Sequence, residues 1–144
     1  MDKKRIIKVR DVVGFATKGS ENIFESRLLI DKEGVGSGRL TVTHFTLKPG
    51  KSIPAGKHPC PFDEVYYVLR GNAIVTLDGK EYEIGPDTAI FIPCETYHSL
   101  KNIGKDNFES VNISPLQYKP GVNPFYDERK KQWGKTLKFI DEDK

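Results

Sequence analysis

Apolar and polar residues alternate along most of this chain with a period of two rather than 3.6. The stretch "RLTVTHFTL" (39–47) alternates throughout, and "EVYYVL", "NAIVTL", "KEYEI", "TAIFI" and "FESVNIS" are short runs rich in Val, Ile, Tyr, Phe and Thr. Turn-forming clusters fall between them: "KPGKS", "RGN", "LDGK", "GPD", "PCE" and "NIGKDN". Asp78-Gly79 joins two of the runs, and both residue types tolerate the positive φ of a tight hairpin turn. Strands at about ten-residue spacing predict an antiparallel sandwich or barrel. A helical pattern is confined to "YDERKKQW", between Pro124 and Gly134. The segment "LLIDKEGVGSGRL" is glycine-rich. It lacks the lysine of a phosphate-binding loop and no helical pattern follows it, so it reads as a flexible turn.

The length, 144 residues, suits one domain with a single core. No apolar run approaches the roughly 20 residues of a membrane-spanning helix. The charged opening "MDKKRIIKVRDVV" has no secretory h-region. Net charge is +3, with its basic excess in "ERKKQWGKTLK", which is too weak and too local for a nucleic-acid surface. Two cysteines do not make a disulfide framework and read as thiols in a reducing, cytoplasmic compartment.

The three histidines are His44, His58 and His98. His58 precedes a carboxylate, Glu64, in "GKHPCPFDEVYYVLRG", and His98 lies in "IPCETYHSLKN". Two imidazoles and a carboxylate from separate strands suit one divalent Fe, Mn, Ni, Co or Zn ion and leave positions open for a substrate.

On these residues the chain resembles the cupins. Their motifs run G-x5-H-x-H-x3,4-E-x6-G and G-x5-P-x-G-x2-H-x3-N. Glu64 and Gly71 keep the E-x6-G spacing, and Pro93, His98 and Asn102 keep P-x4-H-x3-N. Gly50 and Gly85 fall in the turns that open the two motifs, and Glu95 stands where the second motif has its glycine. The resemblance covers residues 35–118. It implies an all-β fold, a double-stranded β-helix or jelly-roll barrel. An N-terminal strand arm (1–34) would precede the barrel and a C-terminal extension (119–144) with a short helix would follow it. Because an open edge strand must be covered, "RIIKVRDVV" is a candidate for pairing in a homodimer.

The first motif can be counted in two registers. Counted forward from Gly50, Gly56 takes the first histidine position and His58 the second, one residue too far from Glu64. Counted back from Glu64, His58 takes the first and Cys60 the second, giving a set His58, Cys60, Glu64, His98. The second count needs no insertion and is preferred, with Cys60 as a thiolate ligand; the other reading makes Cys60 a buried apolar residue. Tyr66 shares a face with Glu64 and could bond a substrate or act in catalysis. His44 could serve as a base beside the site. Cys94 has no assigned role, and Asn102 ties the end of its strand.

What the resemblance implies for function is a metal-dependent enzyme of isomerase, lyase, cyclase or dioxygenase type acting on a small oxygenated molecule. The alternatives are a non-catalytic binder or sensor with a vestigial site, and an epimerase using His98 and Tyr66 without a metal.

Overall fold

The computed structural model of the chain describes residues 5–12, 14, 16, 20 and 22–116. Among these, nine strands form two antiparallel sheets. They are β1 (Phe24–Ile30), β2 (Leu40–Leu47), β3 (Ser52–Gly56), β4 (Glu64–Arg70), β5 (Ala73–Leu77), β6 (Lys80–Ile84), β7 (Ala89–Ile92), β8 (His98–Asn102) and β9 (Phe108–Pro115). One sheet has the order β1-β2-β9-β4-β7 and the other β3-β8-β5-β6. This is the jelly-roll arrangement expected from the period-two pattern.

Alternation places one residue in two between the sheets. Leu47, Val68, Val75, Ile92 and Phe108 are fully buried there. Each such side chain stabilises the fold by about 1.5–3 kcal/mol through water exclusion. The core fills one end of the barrel and leaves the other hollow.

The turns set the register. Asp78 (φ 47°) and Gly79 (φ 84°) both take left-handed backbone, and Leu77 pairs with Lys80 across the hairpin. Gly71 has φ 87°, and a Cβ there would lie 2.7 Å from the Asn107 carbonyl oxygen. That contact explains why the residue closing the E-x6-G spacing is glycine. Asn102 is fully buried. Its amide donates to the carbonyls of Leu47 and Asp106 and its Oδ1 accepts from Gly104 N–H, all at 2.9 Å. It ties β8 to the end of β2, the structural role expected of it.

Two local expectations change. "LLIDKEGVGSGRL" contains one helical turn, α1 (Lys32–Val35), before the left-handed Gly36. In "RIIKVRDVV", Val9–Asp11 form a turn of 3₁₀ helix rather than a strand, held by the Arg27 guanidinium donating to Val9 O, and Val12 packs on Leu28. The helix expected in "YDERKKQW" lies outside the described residues.

Candidate metal centre

The open end of the barrel is built where β3, β4 and β8 meet. β3 ends at Gly56, and the loop after it carries His58. Pro59 and Pro61 lack the N–H groups that a ladder would need, so this segment leaves the sheet. Phe62, buried, packs its ring 4.3 Å from the His58 ring and sets the imidazole's position. Glu64 is the first residue of β4, and His98 is the first of β8, directly opposite Gly56.

These three side chains converge. The Nε2 atoms of His58 and His98 each lie 3.8 Å from Glu64 Oε1. One donor atom from each of the three residues lies within 4.8 Å of the others. The two imidazole rings are 5.3 Å apart. All three are partly buried, with exposures of 21% for the His58 side chain, 13% for Glu64 and 12% for His98.

Protonation favours the same chemistry. His98 Nδ1 donates to the Thr96 carbonyl at 3.0 Å, so in the neutral ring Nε2 carries the free lone pair towards Glu64. Burial, with a further contribution from His98, lowers the His58 pKa to about 4. His58 is therefore a neutral donor at pH 7. Tyr66, two residues along β4, donates its hydroxyl to Glu64. Burial first, and then the Glu64 charge and this hydrogen bond, hold the phenol well above its ordinary pKa. Two imidazoles and a carboxylate converging on one point are a fitting donor set for a divalent transition ion.

The centre opens into a cavity of about 470 Å³ between the sheets. Phe24, Phe45, Ile53 and Leu100 give it apolar surface, and Thr43, Asn112 and Ser114 a polar wall.

A cupin-domain family model matches residues 43–114. The chain belongs to the cupin family. Among curated relatives, it is 28% identical over 125 residues to the polyketide synthase CurC of Streptomyces cyaneus, an alignment covering 85% of this chain and 78% of that one. It is 30% identical over 96 residues to the tetracenomycin polyketide synthase protein TcmJ of Streptomyces glaucescens, covering 66% and 64%. The solved polyketide cyclase RemF of Streptomyces resistomycificus shares the fold with a TM-score of 0.70 at 24% identity, over 89% of this chain and 93% of that one.

Against the cupin pattern, two expected site residues are displaced. Cys60 is bonded to Cys94 in a disulfide, with the two Cα atoms 4.9 Å apart, so its sulfur is not a thiolate ligand. The expectation of two free thiols is corrected with it. His44 faces away from the cavity. Its neighbours on β2, Thr43 and Phe45, line the cavity, so alternation turns His44 to the outer face of the sheet. There it pairs with Glu109 at 3.2 Å, and Glu109 also holds Arg70 at 2.7 Å. Tyr66 does line the cavity, as expected.

Glu95 is a residue whose part was missed. It takes φ 62° at the motif's glycine position, its N–H donates to His58 O at 2.7 Å, and its carboxylate pairs with Lys57 at 3.0 Å. The loop that follows β7 thus grips the loop that carries His58. A glutamate at the motif's glycine position gives no sign in the sequence of this left-handed backbone.

Proposed function

We propose that this cupin binds one divalent transition ion through His58, Glu64 and His98 and acts on a small oxygenated molecule that chelates the ion through two oxygens. The observation that carries the reading is the convergence of three suitable donors at the head of the cavity between the sheets. The bound ion would supply Lewis acidity, stabilising negative charge on a substrate oxygen. Glu64 would bring the anionic ligand and the two imidazoles neutral ones. Tyr66, its proton held by burial, would orient Glu64 and keep a hydroxyl beside the substrate. The apolar walls would exclude water from the reacting face. Among isomerase, lyase, dioxygenase and cyclase chemistry, the relatives named as polyketide synthase proteins, together with the fold shared with a polyketide cyclase, favour cyclase-type work on a poly-oxygenated molecule.

A non-catalytic binder is the second reading, because the set has three protein ligands and Gly56 stands where the forward count puts another histidine. A homodimer is part of the proposal: Tyr67 and Phe91 lie exposed on the outer face of the five-stranded sheet, the kind of surface a second copy covers. The expected cytoplasmic location has the disulfide against it. Among the described residues no helix is long and apolar enough to cross a membrane.

The test is elemental analysis of protein purified without added metal, beside His98→Ala. About one ion per chain in the parent and near none in the variant is expected. Equal, negligible metal in both would refute the reading.

A further inference from the structure

The polar wall of the cavity has a regular construction. β9 lies between β2 and β4, and Asn112 stands directly opposite Thr43 on one side and Tyr66 on the other. One step along the strand, Ser114 stands opposite Thr41. These side chains share the inner face and border the cavity. Asn112 is also the diagonal cross-strand neighbour of Glu64, a separation of roughly 7–8 Å.

Asn112 is the oriented member of the block. Ser110 Oγ donates to its Oδ1 at 2.7 Å, which turns the amide so that its Nδ2 hydrogens are the free end. They have no hydrogen-bond partner among the described residues. The wall carries no formal charge apart from Glu64. Lys57, the cation among the lining residues, is paired with Glu95. The other sheet faces this wall with Ile53 and Leu100.

We infer that Asn112 is a specificity residue: its amide recognises an uncharged oxygen acceptor on the substrate, about one ring away from the oxygens that chelate the ion. This rests on the chelation reading above and narrows it to a class. The substrate is a ring-sized molecule whose second polar edge is a neutral carbonyl or phenol. A second carboxylate on that edge would lose its hydration against a wall with no counter-charge. An acceptor oxygen there meets a donor that is already aimed and otherwise unpaired.

The experiment compares three probes on the zinc-loaded chain by calorimetry or absorbance titration. The first is a hydroxynaphthoquinone with one peri hydroxyl–carbonyl pair and a second carbonyl across the ring. Next comes the matching hydroxytetralone, which lacks that second carbonyl. Oxalate, a chelator too short to reach Asn112, completes the set. The parent should bind the naphthoquinone about tenfold more tightly than the tetralone. Asn112→Ala should bind the two alike while keeping its affinity for oxalate, its metal content and its melting temperature. A metal-loaded parent that treats the two ring probes alike, or an Asn112→Ala chain that keeps the preference, overturns this inference alone. A fall in oxalate affinity matching the loss for the naphthoquinone also overturns it, because the substitution would then act through the ion's ligands. If the parent takes up no metal, the chelation reading fails and takes this inference with it. Asn112→Ser, which keeps a donor, should recover part of the discrimination.

Discussion

Cys60 and Cys94, 34 residues apart in sequence, are bonded to each other, and the bond joins the loop that carries His58 to the loop that leads into His98. The same two loops are joined by the Glu95 N–H to His58 carbonyl bond and by Asp63 accepting from Cys94 N–H at 2.9 Å. Two of the three donors are thus set by one cross-linked unit at the barrel mouth.

Opening the disulfide should therefore loosen the centre before it unfolds the barrel. The paired variant Cys60→Ser with Cys94→Ser, or treatment with a dithiol reductant, is expected to weaken metal binding about tenfold and lower stability by about 2–4 kcal/mol. Chelator competition and urea unfolding read the two effects separately. Unchanged metal affinity in the variant would show that the hydrogen bonds alone hold the loops.

Tyr66→Phe removes the hydroxyl that Glu64 accepts. Partners of this kind orient a ligand without touching the ion, and their loss costs about tenfold in metal affinity. Metal should still load at one ion per chain, with the weakening visible only in competition. A complete loss of metal would instead make Tyr66 essential to the fold of the site.

Gly56 lies opposite His98, and a Cβ built on it meets nothing within 4 Å. Gly56→His should place a third imidazole at the centre and tighten metal binding by about tenfold or more, about 1.4 kcal/mol. Identical affinity in parent and variant would mean that β3 aims this position away from the ion.

Asn102→Ala should leave the Leu47 and Asp106 carbonyls and the Gly104 N–H without their partner. With unsatisfied buried groups costing about 1–3 kcal/mol each, a loss of at least about 3 kcal/mol is expected. The fall should appear in the unfolding midpoint. A variant as stable as the parent would contradict the tie between β8 and β2.

His44 predicts an acid-side effect remote from the cavity. Burial lowers its pKa most and the Arg27 charge adds to this, while Glu109 and Glu25 pull the other way without reversing it. The folded chain therefore takes up this proton less readily than the unfolded chain, whose histidine titrates near 6.5. Stability from this group is complete above that pH and is lost as pH falls below it. His44→Gln should flatten the fall in melting temperature between pH 7 and pH 5. A profile parallel to the parent's would assign the acid sensitivity to other groups.

Features that depend on local spacing were legible in the amino-acid order. Period-two runs placed strands, Asp78-Gly79 placed a hairpin, and the E-x6-G and P-x4-H-x3-N spacings pointed to Glu64, Gly71, His98 and Asn102. Each of these is set by its own turn or strand, so neighbours in sequence suffice to read it. Alternation supplies parity but not which parity faces inward. On β2, Thr41, Thr43 and Phe45 line the cavity while Val42 and His44 face out, so polarity alone does not mark the inner face. The partner of Cys60 was equally out of reach. Its apparent place beside His58 suggested a ligand, but its bond is to a residue that only the closing of the two loops brings within 4.9 Å. The donors of the centre, the Cys60–Cys94 link and the Asn112 wall all arise from contacts between separate strands and loops, and those exist only once the sheets have packed.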